Sequence, residues 1–256
     1  MRPGRIQAAS VALPLVAGMT LLQAGCGDDD NPNAPAASPG RVSVELRHVV
    51  NGAALVFDDI RYTNAAGDEY SVVRLEYLLT NLALHAADGS IHGIRGPFYN
   101  DARTAASLQH VLEQVPSASY DALSFTFGLD ETMNISDAFL AQPWNSRMAW
   151  PSTLGGGYHY MILDGFVRDP AGDRTYNTHL GRTQQEPHFF HVVLPIDTIA
   201  VDGNDSSVRV TMEISEWYTG PHDYSFPQNP FIMDMPTLQQ ALMQNGGSVF
   251  SASSVR

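Results

Sequence analysis

Residues 148–181 read MAWPSTLGGGYHYMILDGFVRDPAGDRTYNTHLG, and this stretch sets the interpretation of the fold. The triple glycine at 155–157 marks a turn. The aromatic and apolar run at 158–163 that follows it is typical of a buried strand. Asp164-Gly165 is predicted to end that strand, and a second glycine-bearing turn is predicted at 169–173. This part of the chain therefore predicts β-structure made of short strands and tight turns.

Similar runs continue on both sides of this stretch. Residues 42–49 alternate apolar and polar side chains, and Asn51-Gly52 after them predicts a hairpin turn. Further strands are predicted at 54–62, 69–84, 120–128, 187–196, 207–217 and 249–251. Helices are predicted at only two places, 104–114 and 236–245. The pattern indicates an all-β fold, an antiparallel β-sandwich with two short helices and long turns.

The start of the chain has the layout of a bacterial secretory signal. Arg2 and Arg5 form a short basic beginning, residues 8–24 are apolar, and Ala24-Gly25 precedes Cys26. A small pair directly before a cysteine is typical of a signal that ends at a lipidated residue. The alternative is a plain cleaved signal peptide followed by an incidental cysteine. Both alternatives predict an exported protein.

Three parts of the chain follow from this. They are a signal peptide at 1–25, the lipidated Cys26 with a polar tether at 26–40, and one β-sandwich domain at 41–256. We expect a periplasmic or outer-membrane lipoprotein in the cell envelope, attached to the membrane by its lipid anchor only.

Composition excludes several classes of function. The formal net charge is −13, and all 14 basic residues are arginines without a basic patch, which argues against nucleic-acid binding. The single cysteine excludes an intrachain disulfide and a thiolate metal cluster. The sequence carries no nucleophile elbow, no phosphate-binding loop and no catalytic cysteine motif, so we expect a protein that is not an enzyme.

Nine histidines suggest a metal site, because imidazole is a common ligand of copper, zinc, iron and nickel. No HExxH motif or His-x-His pair strengthens the suggestion. The ordinary alternative for any single histidine is an exposed ring or one hydrogen-bonded to a carbonyl. His48 before a turn, His159 between two tyrosines and His179 before Gly181 are the candidates of most interest.

Several segments together resemble one family. They are LRHVVNGAALVFDD (46–59), YTNAAGDEYSVVRLEYLLTNLAL (62–84), SFTFGLDETMNISD (124–137), MAW…GGGYHYMILDGF (148–166), YNTHLG (176–181), FHVVLPI (190–196) and FIMDMPTLQQALMQN (231–245). In that order they resemble the MbnP-like copper-binding domain of bacterial periplasmic and surface proteins, some of which accompany methanobactin loci. The resemblance spans about residues 41–255.

This resemblance implies a protein that scavenges, stores or delivers copper, as Cu(I) or Cu(II), without turnover. The two histidines of the family pattern correspond to His48 and His179, which implies a bis-histidine copper site. In some relatives a dihaem peroxidase-like partner enzyme oxidises a tryptophan to kynurenine, which then joins the site. Trp150 stands at that position, and His159 is a possible additional ligand. The residues directly after Trp150 depart from the family pattern, in which another tryptophan is usual.

One alternative function needs no metal. A β-sandwich on the cell surface can bind a glycan or a protein through exposed aromatic side chains. The aromatic candidates for such a binding or interaction module are Tyr158, Tyr160, Trp217 and Tyr218.

Overall fold

The structure is a computed structural model that describes residues 38–184 and 186–255. The predicted signal peptide at 1–25, Cys26 with its predicted lipid anchor, and most of the predicted tether at 26–40 lie outside these residues. Within the described residues, no helix has the length and apolar character needed to cross a membrane.

The described chain is mostly strand. The strands are β1 (Gly40–Val50), β2 (Ala53–Ala54), β3 (Tyr62–Thr63), β4 (Glu69–Tyr70), β5 (Arg74–Ala86), β6 (Ile91–Ile94), β7 (Phe98–Asp101), β8 (Gln109–Val115), β9 (Ala118–Phe127), β10 (Met161–Val167), β11 (Arg174–Leu180), β12 (Phe190–Val201), β13 (Asp205–Glu213) and β14 (Phe250–Val255). The helices are α1 (Asn145–Met148) and α2 (Pro236–Asn245), and short 3₁₀ turns form at Ala105–Leu108, Ser152–Leu154 and Ile214–Tyr218.

The strands form two curled sheets. The first sheet has the order β14-β13-β1-β2, and β8 also pairs with β1. The second sheet has the order β12-β9-β5-β10-β4-β3, with β11 on β10 and with β6 and β7 on β5. β1 and β13 run parallel, and the other pairings between these strands are antiparallel. The predicted all-β sandwich is confirmed.

The hairpin that follows β1 is confirmed as well. Asn51 and Gly52 have φ angles of 50° and 76°, which are left-handed values that Asn and Gly tolerate. Their backbone N–H groups both donate to the carboxylate of Glu213, each at 2.7 Å. The turn therefore fixes β1 against the end of β13 as well as against β2.

The predicted helix at 104–114 is wrong. Ala105–Leu108 is a 3₁₀ turn, and Gln109–Val115 is strand β8, which pairs with β1 in antiparallel register. Leu112 and Val115 are fully buried. Pairing with β1 and burial of these two side chains outweigh the helix preference of the segment. The second predicted helix is confirmed at α2, which begins at Pro236 and ends at Asn245.

Two strand boundaries also differ from the prediction. Of residues 54–62, only the ends belong to strands, to β2 and β3. Asp164-Gly165 does not end its strand, because β10 continues to Val167. A Cβ atom at Gly165 would lie 1.9 Å from the carbonyl oxygen of Ser71. The glycine therefore allows a close backbone approach inside the strand and does not mark a turn.

The two faces of the second sheet have different neighbours. On the inner face, Tyr77 stacks on Phe127 at 5.7 Å, and Phe127 contacts Trp217 and Phe250 at 5.2 and 5.6 Å. This aromatic cluster fills the space towards the first sheet. On the other face, here called the outer face, cross-strand register aligns Glu76, Ile162 and His179 in one row. Residue 76 and residue 77 are neighbours on β5, so their side chains leave the sheet on opposite faces.

Candidate metal centre

Residues 129–159, here called the covering segment, lie over the outer face of the second sheet. Arg147 of this segment pairs with Glu76 of β5. Asn134 Nδ2 donates to Tyr160 Oη at 2.9 Å. The pairing with Arg147 explains why the Glu76 side chain is buried although it points away from the sandwich core, and Ile162 next to it in the same row is buried as well. The segment therefore makes a second interior on the far side of the sheet.

Two histidines meet at the edge of this second interior. His159 ends the covering segment, and His179 stands on β11. Their ring centroids lie 5.1 Å apart with an angle of 78° between the ring planes. His159 is 7% exposed, and the side chain of His179 is 14% exposed. Two largely buried imidazoles, one from the covering segment and one from β11, therefore lie next to each other.

Hydrogen bonds define which ring nitrogen of each histidine carries the proton. His179 Nε2 lies 2.6 Å from Asp164 Oδ1, and His159 Nδ1 lies 3.2 Å from the carbonyl oxygen of Met148. A carboxylate and a carbonyl only accept, so these nitrogens are the N–H groups. In the neutral form of each ring, the opposite nitrogens, Nδ1 of His179 and Nε2 of His159, carry lone pairs. His179 Nδ1 is buried and has no hydrogen-bond partner among the described residues.

The charge states favour metal binding. Burial, reinforced by the nearby His179, lowers the pKa of His159 to about 3, so its ring is neutral at physiological pH. Burial alone would raise the pKa of Asp164. The hydrogen bonds from His179 and Asn177 and the charge of Arg74 outweigh this effect, and the pKa is lowered. Neutral imidazole beside an ionised carboxylate is the form in which histidine binds metals.

Trp150 lies against the histidine pair. Its ring centroid is 4.7 Å from that of His159, in an edge-to-face arrangement, and its side chain is buried. Its Nε1 is buried without a hydrogen-bond partner in the described part of the chain. A Cβ atom at Gly181 would lie 2.6 Å from Trp150 Cε3. The glycine that closes the His-Leu-Gly motif therefore makes room for this indole.

Helix α2 fixes the backbone at the end of β11. Gln239 is fully buried, accepts a hydrogen bond from Gly181 N at 3.0 Å, and donates from Nε2 to the carbonyl oxygen of His179 at 2.5 Å. The sequence carried no signal for this role, since a glutamine inside a short helix is usually a surface residue.

A line of charged side chains connects the covering segment to the site. Glu76 is buried and accepts hydrogen bonds from Arg74, Arg147 and Tyr99. Burial would raise its pKa, but these three donors outweigh burial, and the pKa is lowered. Arg74 also faces Asp164, with 3.9 Å between Nη1 and Oδ2. The carboxylate of Asp164 is thus shared between Arg74 and His179.

His48 occupies a different place. It lies on β1, is buried, and its Nε2 is 3.0 Å from Tyr77 Oη. Burial lowers its pKa to about 4. Tyr77 belongs to the inner face of the second sheet, whereas His179 belongs to the outer face. The structure therefore places His48 and His179 on opposite sides of the sheet, and it brings His179 together with His159 and Trp150.

The aromatic residues proposed for a metal-free contact surface are all buried. Tyr158 is 1% exposed, and Tyr160, Trp217 and Tyr218 are 0% exposed. Tyr158 packs against Phe139 within the covering segment, and Tyr160 lies under that segment and bonds Asn134. Trp217 and Tyr218 belong to aromatic clusters of the core. This set of residues cannot contact a glycan or a protein in the folded state.

The donor set limits what the centre can hold. Within residues 38–184 and 186–255, no three or more His, Cys, Asp or Glu side chains are grouped to hold a metal ion. The centre therefore offers two imidazole nitrogens. Zinc and calcium sites use four or more protein ligands or waters, whereas a soft ion that accepts few ligands, such as Cu(I), suits two imidazoles. The orphaned, buried lone pair of His179 Nδ1 fits such an ion.

Comparisons with known proteins agree on one family. The model of the family described as MbnP matches residues 39–235 of the chain. A search of curated proteins returns no match. A solved structure described as MbnP from Methylosinus trichosporium superposes with a TM-score of 0.54, is 15% identical, and the match covers 84% of this chain and 99% of that chain. At this identity the structural likeness concerns the fold.

Proposed function

The chain belongs to the MbnP family, and from this membership and the histidine pair we propose that it is an exported copper-binding protein whose metal centre is built on His159 and His179. Membership of the family indicates a copper-related role associated with methanobactin. The protein binds, stores or delivers the metal and carries out no catalytic turnover.

One observation carries the site assignment. Each of the two rings donates its N–H to a fixed oxygen, and the remaining nitrogens are free to bind a metal. Metal-binding histidines usually have this arrangement, in which an oxygen acceptor fixes the tautomer and the ring orientation. The proposal moves one of the two ligands from His48, which the family resemblance implies, to His159.

The chemistry of the pair favours Cu(I). Two neutral nitrogen donors satisfy the low coordination number that Cu(I) accepts, and Cu(II) needs further nitrogen or oxygen ligands. The edge of the Trp150 indole contacts the His159 ring and closes one side of the centre with apolar surface. A dry neighbourhood of this kind disfavours added charge, which also favours the lower oxidation state.

The cellular context belongs to the same proposal. The basic start, the apolar stretch and the small pair before Cys26 support export as a lipoprotein held to a membrane of the cell envelope by its anchor. A dihaem peroxidase-like partner that oxidises Trp150 is a separate proposal. Intact-mass analysis of the protein from its native host tests it, and an unmodified Trp150 rejects it.

The test of the copper site measures metal content after incubation with Cu(I) or Cu(II) and desalting. We expect close to one copper per chain in the wild type, loss of copper in the His159→Ala/His179→Ala double variant, and retention in His48→Ala. His48 is a matched control, since it is equally buried. Copper that is lost in His48→Ala and kept in the His159→Ala single variant would return the second ligand to His48. A wild type that binds no copper would reject the proposed function.

A further inference from the structure

We propose that Asp164 is the positioning residue of this centre: it holds the His179 ring so that Nδ1, and not Nε2, faces the metal. The inference rests on the copper function proposed above. It assigns to a carboxylate on β10 a role in orienting a ligand on β11, without contact between the carboxylate and the metal.

The geometry of the carboxylate supports a positioning role. Asp164 Oδ1 accepts hydrogen bonds from His179 Nε2 at 2.6 Å and from Asn177 Nδ2 at 2.5 Å. Asn177 stands directly opposite Asp164 in the register of β10 and β11, and His179 is the next residue on the same face. The hydrogen bond from Asn177 therefore holds the carboxylate in the position from which it orients the His179 ring.

The second oxygen is also engaged. Asp164 Oδ2 faces Arg74 Nη1 at 3.9 Å, and Arg74 Nε bonds Glu76 Oε1 at 2.7 Å. Both carboxylate oxygens thus face cationic or N–H groups, which leaves Asp164 poorly placed to bind a metal directly. A carboxylate that accepts the second N–H of a metal-binding histidine raises the basicity of that ligand and typically contributes about 10- to 100-fold in affinity.

The two histidines differ in how they are held. The His159 ring is oriented by a backbone carbonyl, that of Met148, which side-chain substitution cannot remove. The His179 ring is oriented by a side chain. Asp164 is therefore the position at which substitution can change the orientation of a ligand and leave both imidazoles in place.

The tautomer of His179 in the metal-free protein gives a direct test. Two-bond ¹H–¹⁵N correlation NMR distinguishes a ring protonated at Nε2 from one protonated at Nδ1. We expect His179 to be protonated at Nε2 in the wild type, and to lose this preference in Asp164→Leu. Asp164→Asn keeps an uncharged oxygen acceptor, so it should retain the tautomer in part. Asn177→Ala keeps the carboxylate but removes the contact that holds it, so it should weaken the preference for Nε2–H less than Asp164→Leu does.

Copper titration of the same variants completes the test. We expect the affinity for Cu(I) to fall by about 10- to 100-fold in Asp164→Leu and by less in Asp164→Asn. If Asp164→Leu does not fold, the isosteric Asp164→Asn variant provides the test. Compared with the wild type, it must show a smaller fraction of His179 protonated at Nε2 and a lower affinity for Cu(I). A wild-type His179 protonated at Nδ1, or variants with unchanged tautomer and affinity, would overturn the positioning role even where copper binds. Failure of the wild type to bind copper would instead reject the proposed function, since the tautomer is measured without metal.

Discussion

The rings of His159 and His179 lie 5.1 Å apart, although one residue belongs to the covering segment and the other to strand β11. The antiparallel pairing of β10 with β11 places His179 on the outer face of the second sheet. The backbone of His159 is fixed independently, since its N–H donates to the carbonyl oxygen of Met148. The pair therefore depends on the covering segment and the sheet being folded together.

The two histidines should act as a unit in copper binding. We expect His159→Ala and His179→Ala each to weaken Cu(I) binding by more than about tenfold, and the double variant to lose little beyond the stronger single effect. Either single substitution leaves one imidazole, which by itself binds Cu(I) weakly, so the second substitution has little affinity left to remove. A competition titration with a chromogenic Cu(I) chelator measures the affinities. Additive changes in the free energy of Cu(I) binding would mean that the two rings do not bind the same ion.

Substitution of Gly181 should disturb Trp150. A methyl group at this position would lie 2.6 Å from the indole, so we expect Gly181→Ala to lower the free energy of unfolding by about 1–3 kcal/mol. Urea denaturation followed by tryptophan fluorescence measures the loss. The matched control introduces Gly181→Ala into a Trp150→Leu background. There the smaller side chain leaves room for the methyl group, so Gly181→Ala should lower the free energy of unfolding by less. An equal loss from Gly181→Ala in both backgrounds would show that the indole is not the cause.

Neutralising Glu76 should loosen the covering segment. Its carboxylate is 2% exposed and pairs with Arg74 and Arg147, so Glu76→Gln leaves two arginines without their buried partner. We expect a loss of about 2 kcal/mol in unfolding free energy and faster amide hydrogen exchange in residues 129–159. Glu113→Gln is the control. Glu113 pairs with Arg41 at the surface, where both side chains are about half exposed and the expected change is much smaller than at Glu76. Equal effects of the two substitutions would contradict the burial argument.

Stability should fall in mild acid through His48. Burial lowers the pKa of its folded state to about 4, from the 6.5 of an unfolded histidine. Between these values the unfolded state binds a proton that the folded state does not, so the free energy of unfolding decreases as the pH falls. One pH unit corresponds to about 1.4 kcal/mol, which gives a loss of about 2 kcal/mol at pH 5. Denaturation at pH 7 and pH 5 should show a smaller loss in His48→Gln. An identical loss in wild type and variant would rule out His48 as a source.

Much of the fold follows from local sequence pattern. The alternation in β1, the Asn51-Gly52 turn and the bounds of α2 are encoded within a few residues, and all three are confirmed. The helix predicted at 104–114 is wrong because β8 is stabilised by pairing with β1, more than fifty residues away. The strand end predicted at Gly165 is wrong because the glycine is required for close contact with the backbone of Ser71, a residue far away in the sequence.

The site was only partly predictable for the same reason. His179, His159 and Trp150 were recognised as candidates, and the structure places them together. Which face of a sheet a histidine occupies depends on strand register, and a shift of one residue reverses it. The family pattern pairs His48 with His179, but it does not specify the register of β10 and β11, which sets the face of the sheet that His179 occupies. The roles of Asp164 and Gln239 depend on contacts between separate elements, which sequence spacing does not reveal.

An ion held between these rings would lose one of its two ligands whenever the covering segment opened. The covering segment contributes one ligand and is tied down by Asn134 and Arg147. The time that copper spends on the protein would then be set by how often the segment opens, and not by the strength of the nitrogen–copper bonds alone. Release that waits for this opening would be nearly independent of the concentration of a competing acceptor. Such kinetics would differ from those of a site whose ligands all stand on one rigid element, where an incoming acceptor could attack the ion directly.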